Sequence, residues 1–348
     1  MQNGGIRLIV CTALATLATG TTVVAGIAAP AHAGRAAVQT VHQAAPAALH
    51  GTASGAARGK APTVAARAAY LFDATTQTQL FGKQATKRMP VASLTKVMTA
   101  YVVLREARLD DIVAITAADV KHAATNDATG ASLRAGERLT VRDLLYGVML
   151  PSGADASHAL ARVYGPGDAK FVAKMNAAAR SLGLADTRYA NPDGLPKPSG
   201  GYSTAQDQAK LAEVALGDRT LLTIASTRRY AVPKSKLHRA HTWTNTNKLL
   251  GKATGTLGVK TGYTRAAGYC LSFAADRDGH RLIGVILGDS KPDRRFQTAT
   301  KLLDWGGERI SGDGTGTDTG TGTGTGTGTN DKANDKTDGT GGKLSGDA

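Results

Sequence analysis

The hydrophobic period changes twice along this chain, and that order of elements limits the folds open to it. Two runs carrying aromatic residues, Ala66–Asp73 and Gln79–Phe81, flank the turn-like stretch Ala74–Thr78 and predict a short β-hairpin. Apolar residues then recur at three- and four-residue spacing over Ser93–Arg108, Thr140–Leu150, Asp155–Tyr164, Asp168–Leu182 and Thr204–Leu216. Several of these segments open on Ser, Thr or Asp, so helices are expected there. Strand-like runs return at Gly258–Thr264, Gly268–Ala275 and Arg281–Gly288, the last two joined across Asp278-Gly279, a strong hairpin signal; a final helix is expected over Asp293–Arg309. Strands at both ends of a foldable region, with helices between, bury their faces most simply in one sheet assembled late in the sequence. The expected class is α/β, an antiparallel sheet covered by helices with an all-helical part.

Composition confines this pattern to residues 65–310. Residues 34–64 are rich in Ala, Gly and Thr with almost no large apolar side chain, and cannot bury enough surface to offset their ordering entropy, so they read as a linker. From residue 311 to 348 a Gly-Thr alternation gives way to Asp, Lys and Asn; neither Gly nor Thr offers a core there, and a disordered tail is expected. Residues 1–33 carry one Arg, an apolar stretch from Leu8 to about Ala29, and Ala31-His32-Ala33 before Gly34, the pattern of a cleaved secretory signal. The alternative is an uncleaved anchor, but several Thr and Gly dilute the apolar run. Export is expected, to the outside of the cell or its wall.

Export bears on the cysteines and on the charge. Cys11 leaves with the signal, and Cys270 alone cannot form an internal disulfide; between Tyr269 and Leu271 it reads as a small buried hydrophobe. Lys and Arg outnumber Asp and Glu by 42 to 27, and the acidic tail leaves the excess in the foldable region. Such a balance suits a polyanionic environment. An exported chain with no basic-aromatic cluster is not expected to bind nucleic acid, and an anionic cell wall fits better.

Two short motifs carry chemistry. In Ser93-Leu94-Thr95-Lys96, at a helix start, positions i and i+3 share a face, so the hydroxyl and the amine can meet. A serine attacks carbonyls poorly until a base takes its proton, and a lysine serves only when burial or a nearby cation lowers its pKa. From about 10.4, a drop of roughly three units corresponds to about 4 kcal/mol of differential interaction. A second positive charge would help. In Lys260-Thr261-Gly262, a strand edge offers a charge, a hydroxyl and unpaired backbone N–H groups, which suit a substrate that ends in a carboxylate and passes through an oxyanion.

Each motif alone is common; together, Ser-x-x-Lys and Lys-Thr-Gly are elements of the penicillin-recognising serine enzymes. The third element of that group, Ser-x-Asn, appears here as Ser152-Gly153-Ala154, with the Ser present and the Asn replaced. The chain resembles the D-alanyl-D-alanine carboxypeptidases, the low-molecular-mass penicillin-binding proteins of bacterial walls, over residues 65–309. Ala190-Asn191-Pro192-Asp193-Gly194-Leu195, Gly201-Tyr202-Ser203-Thr204-Ala205-x-Asp207 and Leu302-Leu303-Asp304-Trp305-Gly306 extend the resemblance. It implies a penicillin-binding/β-lactamase-like fold. It also implies that Ser93 is acylated, that Lys96 is its base, and that Ser152 relays a proton to the leaving D-alanine. Lys260 would tune the site and help bind substrate. Thr261 and Arg295, or the adjacent Arg294, would hold the terminal carboxylate, and the oxyanion would sit between the N–H groups of Ser93 and Tyr263, beside Gly262.

The partners implied are peptidoglycan stem peptides and inhibitory β-lactams, with no metal and no organic cofactor. Many relatives add a β-domain and an amphipathic membrane helix, which this chain lacks, so membrane attachment is not expected; nothing in the sequence sets an oligomeric state. Ala154 removes a preorganised donor, a loss of about 3–4 kcal/mol in comparable sites, and slow turnover is expected. A Ser-His-Asp hydrolase lacks a placed histidine, His158 reading as a helix-surface residue, and no metal-ligand spacing appears. A class A β-lactamase needs a glutamate to activate the deacylating water, and Glu213 and Glu137 fit helix or loop surface better. A transpeptidase and a weakly active penicillin-binding sensor are the remaining readings.

Overall fold

The computed structural model describes residues 59–197 and 199–311. The signal, nearly all of the linker, and the tail beyond residue 311 lie outside them. A five-stranded antiparallel sheet forms the centre: β1 (Ala68–Asp73), β2 (Thr78–Lys83), β7 (Thr256–Thr264), β8 (Gly268–Arg277) and β9 (His280–Asp289), in the order β2-β1-β9-β8-β7. Both ends of the sequence therefore meet at the β1–β9 seam, where Tyr70 pairs with Val285 and Phe72 with Ile283. The β8–β9 turn falls at Asp278 and Gly279, both with positive φ, as a two-residue hairpin loop requires.

The sheet is apolar on both faces, and its side chains alternate between them with the period of two that a pleated strand imposes. Ala68, Tyr70, Phe72, Ala274, Ile283, Val285 and Leu287 pack into one core, while Ala69, Leu71, Leu271, Phe273, Ala275, Leu282 and Ile286 pack into the other. The second core is closed by α8 (Arg294–Ser311) through Phe296, Ala299, Leu302, Leu303 and Trp305. Val64 is buried in the same core, and Trp305 Nε1 donates to the Gly59 carbonyl (2.9 Å), so residues 59–64 are tied to α8.

The first core is the larger, and it contains the all-helical part. It is built from α1 (Thr95–Leu104), α2 (Ala117–Thr125), α3 (Val141–Met149), α4 (Ala154–Tyr164), α5 (Asp168–Ser181), α6 (Ala205–Gly217) and α7 (Arg219–Ser226). Four of these start on side-chain caps that satisfy orphan N–H groups: Thr116 with Asp119 in a reciprocal box, Thr140, Thr204 and Asp218. Helix α1 is buried along most of its length, as expected of a helix surrounded by others. The sequence reading did not anticipate α2, α7 or two small antiparallel pairs, β3 (Ile112–Ala114) with β4 (Arg138–Thr140) and β5 (Arg229–Val232) with β6 (His241–Thr244). Strands of three or four residues are too short for a period, and α2 carries few large apolar residues to reveal one.

Phe273, fully buried, lies across Gly284 of the paired strand, where a Cβ would sit 2.3 Å from the ring. Phe273→Ala leaves a cavity between rigid strands, and its unfolding free energy in urea titration is expected to fall by about 3–5 kcal/mol.

Candidate active site

Three segments distant in sequence meet where β7 runs past the 3-10 turn Ala92–Leu94 that opens α1. A Cβ at Gly262 would lie 3.1 Å from the Ser93 nitrogen and 3.1 Å from the Val91 carbonyl, so any larger residue would push the strand and the turn apart by a few tenths of an ångström. On the other side, Gly194 (φ +78°) packs against Ala92, and a Cβ there would fall within 1.9 Å of the Ala92 carbonyl oxygen. Ala92 itself adopts φ +50° and Ser152 φ +70°, left-handed conformations that cost non-glycine residues of order 1–3 kcal/mol. The turn carrying Ser93 is thus clamped between Gly262 and Gly194.

Ser93 is half-buried, and Lys96, one helical turn on, is 1% exposed. Lys96 Nζ lies 3.2 Å from Ser93 Oγ and donates to the Asp193 carbonyl at 3.0 Å. Lys260, also 1% exposed, donates to the Thr261 carbonyl at 3.0 Å. Burial pushes both amines below the ordinary lysine value; the charges of Asp193 and Asp155 draw Lys96 back up, while those of Lys96 and Arg295 push Lys260 down further. Burial thus disfavours protonation of both amines, and the Lys96 charge disfavours that of Lys260 further.

Ser152 joins through its neighbours. The Leu150 carbonyl accepts from Thr246 Oγ1 (3.3 Å), and that hydroxyl bonds to Thr261 Oγ1 (2.6 Å), tying the Ser152 turn to β7. The Asp155 carboxylate accepts from the backbone N–H groups of Ala131, Leu133 and Ala156, which fixes the loop beneath that turn. Ala154 does not face open space: it is fully buried with Ala123 and Leu195 in a small apolar cluster. Tyr263 is 52% exposed at the end of the motif and stacks on Tyr269, with ring centroids 4.3 Å apart. Arg295 lies behind the strand, its Nη1 donating to the carbonyls of Gly262 (2.9 Å) and Cys270 (3.0 Å), whereas Arg294 is taken up by Asp289.

Other expectations from the sequence resolve here as well. Cys270 is buried in β8, and burial lifts its thiol to about 11, which leaves it inert. His158 is not a free surface histidine, since its Nδ1 lies 2.7 Å from the buried Asp119 carboxylate and its ring stacks on His122. Glu137 is buried rather than on the surface, with its oxygens engaged by the N–H groups of Arg134 and Arg239 and by His241. Three residues that touch the site were assigned no role from sequence: Asp193, Thr246 and His122. The Asn191-Pro192-Asp193-Gly194 turn signature marks the first; nothing local marks the other two.

The sequence profile of peptidase S11, D-alanyl-D-alanine carboxypeptidase, matches residues 55–291. The chain belongs to this family. It is accordingly a serine-type D-Ala-D-Ala carboxypeptidase, of a family that acts on peptidoglycan stem peptides and binds β-lactams. The D-alanyl-D-alanine carboxypeptidase of Streptomyces sp. strain K15 is 40% identical over 257 residues, covering 70% of this chain and 88% of that protein. DacF of Bacillus subtilis strain 168 is 34% identical over 245 residues, 69% of this chain but 61% of that longer protein. The crystal structure of the Streptomyces K15 DD-transpeptidase matches with a TM-score of 0.68 at 40% identity, covering 71% of this chain and 99% of that one. Among the described residues no helix of the carboxypeptidase is long and apolar enough to cross a membrane.

The two buried amines also destabilise the fold in a pH-dependent way. Their folded values lie below the unfolded 10.5, so the unfolded chain binds more protons through the intervening window, and stability is expected to rise with pH up to about 10.5. At pH 7, Lys260→Met should unfold at a higher temperature by about 1–2 kcal/mol of added stability while losing acylation; the stability difference should shrink as pH approaches that value.

Proposed function

We propose that this carboxypeptidase releases the terminal D-alanine of peptidoglycan stem peptides through an acyl-enzyme on Ser93. The observation that carries the reading is the 3.2 Å contact between Ser93 Oγ and the amine of Lys96, itself shut away from water beside a second buried lysine. Lys96 in its neutral form takes the Ser93 proton as the hydroxyl oxygen bonds to the carbonyl carbon of the scissile peptide. The oxyanion is received by the N–H groups of Ser93 and Tyr263, positioned by the approach of Gly262 to the Ser93 turn. As the C–N bond breaks, the proton passes through Ser152 to the leaving amine of D-alanine. Water then attacks the ester, with Lys96 again the base, and frees the shortened peptide.

The substrate's terminal carboxylate is held by Thr261, whose hydroxyl is oriented by Thr246, with the Lys260 amine next to it in the strand and positive charge from Arg295 behind. A β-lactam presents a carboxylate and an acylating carbonyl at comparable positions, and inhibits by forming a slowly hydrolysed ester on Ser93. The signal-like N-terminus supports a reading in which this chemistry occurs outside the cytoplasm, at the wall.

A second reading is D,D-transfer, in which an amine captures the same acyl-enzyme; the 40% identical Streptomyces K15 structure, named as a DD-transpeptidase, favours keeping it. The two readings share every step up to the ester. Incubation with a fluorescent penicillin should label the wild-type chain and leave Ser93→Ala unlabelled. The same pair assayed with a pentapeptide should release D-alanine only from the wild type. Labelling or release by Ser93→Ala would remove Ser93 as nucleophile, and a cross-linked product on adding an acceptor amine would measure transfer against hydrolysis.

A further inference from the structure

Behind Lys96 lies a buried polar chain that the peptidase chemistry above does not use. Asp193 accepts the Lys96 amine on its backbone carbonyl at 3.0 Å, while its carboxylate, with no exposed surface, points away to α2. There Oδ2 lies 2.6 Å from His122 Nε2, and Oδ1 accepts the Leu195 N–H at 3.2 Å. An ionised carboxylate can only accept, so His122 donates. Asn191 Oδ1 takes the N–H groups of Asp193 and Gly194, closing an Asx turn that sets the carbonyl's direction.

The environment of His122 is charged on every side. From α4 come His158, stacked with centroids 4.5 Å apart, and Arg162; from its own helix comes Asp119, which binds both of those. Asp168 of α5 and Lys197 of the loop after Asp193 line a cavity of about 550 Å³ on its open side. Around Lys96 the charged groups are Asp193, Asp155 and Lys260. Asp155 is already satisfied by three backbone N–H groups. Asp193 is therefore the carboxylate near Lys96 that a side chain holds, with one backbone N–H, that of Leu195, beside it.

We propose that His122 is a positioning residue for Lys96: by holding the Asp193 carboxylate, it fixes the Asp193 carbonyl on the amine and shields that amine from the carboxylate's charge. The physical reason is the low dielectric. A bare carboxylate beside a buried amine favours the ammonium form, and an ammonium cannot take the Ser93 proton. Burial opposes the Asp193 charge, yet the His122 hydrogen bond and the Lys96 charge together keep the carboxyl below its ordinary value. Removing His122 takes that hydrogen bond away and leaves the Asp193 charge to act on Lys96. The inference rests on Lys96 serving as the base for Ser93.

The test is the pH dependence of acylation by a chromogenic penicillin, measured on the full chain and on His122→Ala, His122→Gln and Asp193→Asn. In His122→Ala the acid limb should move up by about one pH unit, so that acylation is about tenfold slower below the limb and close to wild type above it. His122→Gln, which keeps an N–H donor, should return the limb towards the wild-type position. Asp193→Asn retains the carbonyl but loses the charge, and its limb should move to lower pH. A uniform loss at every pH in His122→Ala, limbs moving the same way in His122→Ala and Asp193→Asn, or an unmoved limb in Asp193→Asn overturns the inference. If His122→Ala does not fold, Asp193→Asn decides alone. Acylation surviving in Ser93→Ala would instead defeat the nucleophile assignment, a separate failure.

Discussion

Two lysine amines buried side by side are the constraint around which this carboxypeptidase is arranged. Lys96 and Lys260 are each 1% exposed, and dry, like-charged neighbours favour the neutral amine that serine activation needs. Holding them there requires structure on three sides. Helix α1 is buried along most of its length, β7 lies in the sheet, and the Asn191–Leu195 turn covers the remaining side with a carbonyl aimed at Lys96. The strained backbone at Ala92 belongs to the same arrangement, since Gly194 and Gly262 both pack against it.

The sheet makes this possible by being apolar on both faces. Helix α8 seals one face, and that leaves β7 free to run past the Ser93 turn, with Gly262 at the point of approach. Arg295, at the start of α8, reaches through to the carbonyls of Gly262 and Cys270, so the outer layer also braces the strand edge of the site. Ala154 shows how the chain accommodates its departure from Ser-x-Asn. Its methyl completes a small apolar cluster with Ala123 and Leu195, and the Lys96 amine finds its second partner in the Asp193 carbonyl.

Much of the fold was legible because its long elements carry strong periods. The strands expected at Gly258–Thr264, Gly268–Ala275 and Arg281–Gly288 and the helices expected over Thr140–Leu150, Asp155–Tyr164, Asp168–Leu182 and Thr204–Leu216 fall within a few residues of the observed bounds. Helix α2 was not visible, because AADVKHAAT buries little, and with it went His122. The pairs β3–β4 and β5–β6 are too short to show alternation, so the route by which Thr246 arrives beside Thr261 was hidden as well.

By itself, the sequence determined the types of residue available for chemistry and the local geometry that pairs some of them. Ser93 and Lys96 share a helical face at i and i+3, and the Lys260-Thr261-Gly262 strand follows from its own alternation. Only the tertiary structure decided that Lys96 lies beside Lys260, that Asp193 offers its carbonyl rather than its carboxylate to the amine, and that Arg295 turns to the strand's backbone. The reason is physical. Periodicity and capping act over one or two turns of chain, whereas desolvation and Coulomb interaction act through space, between segments that the chain leaves far apart until the sheet closes.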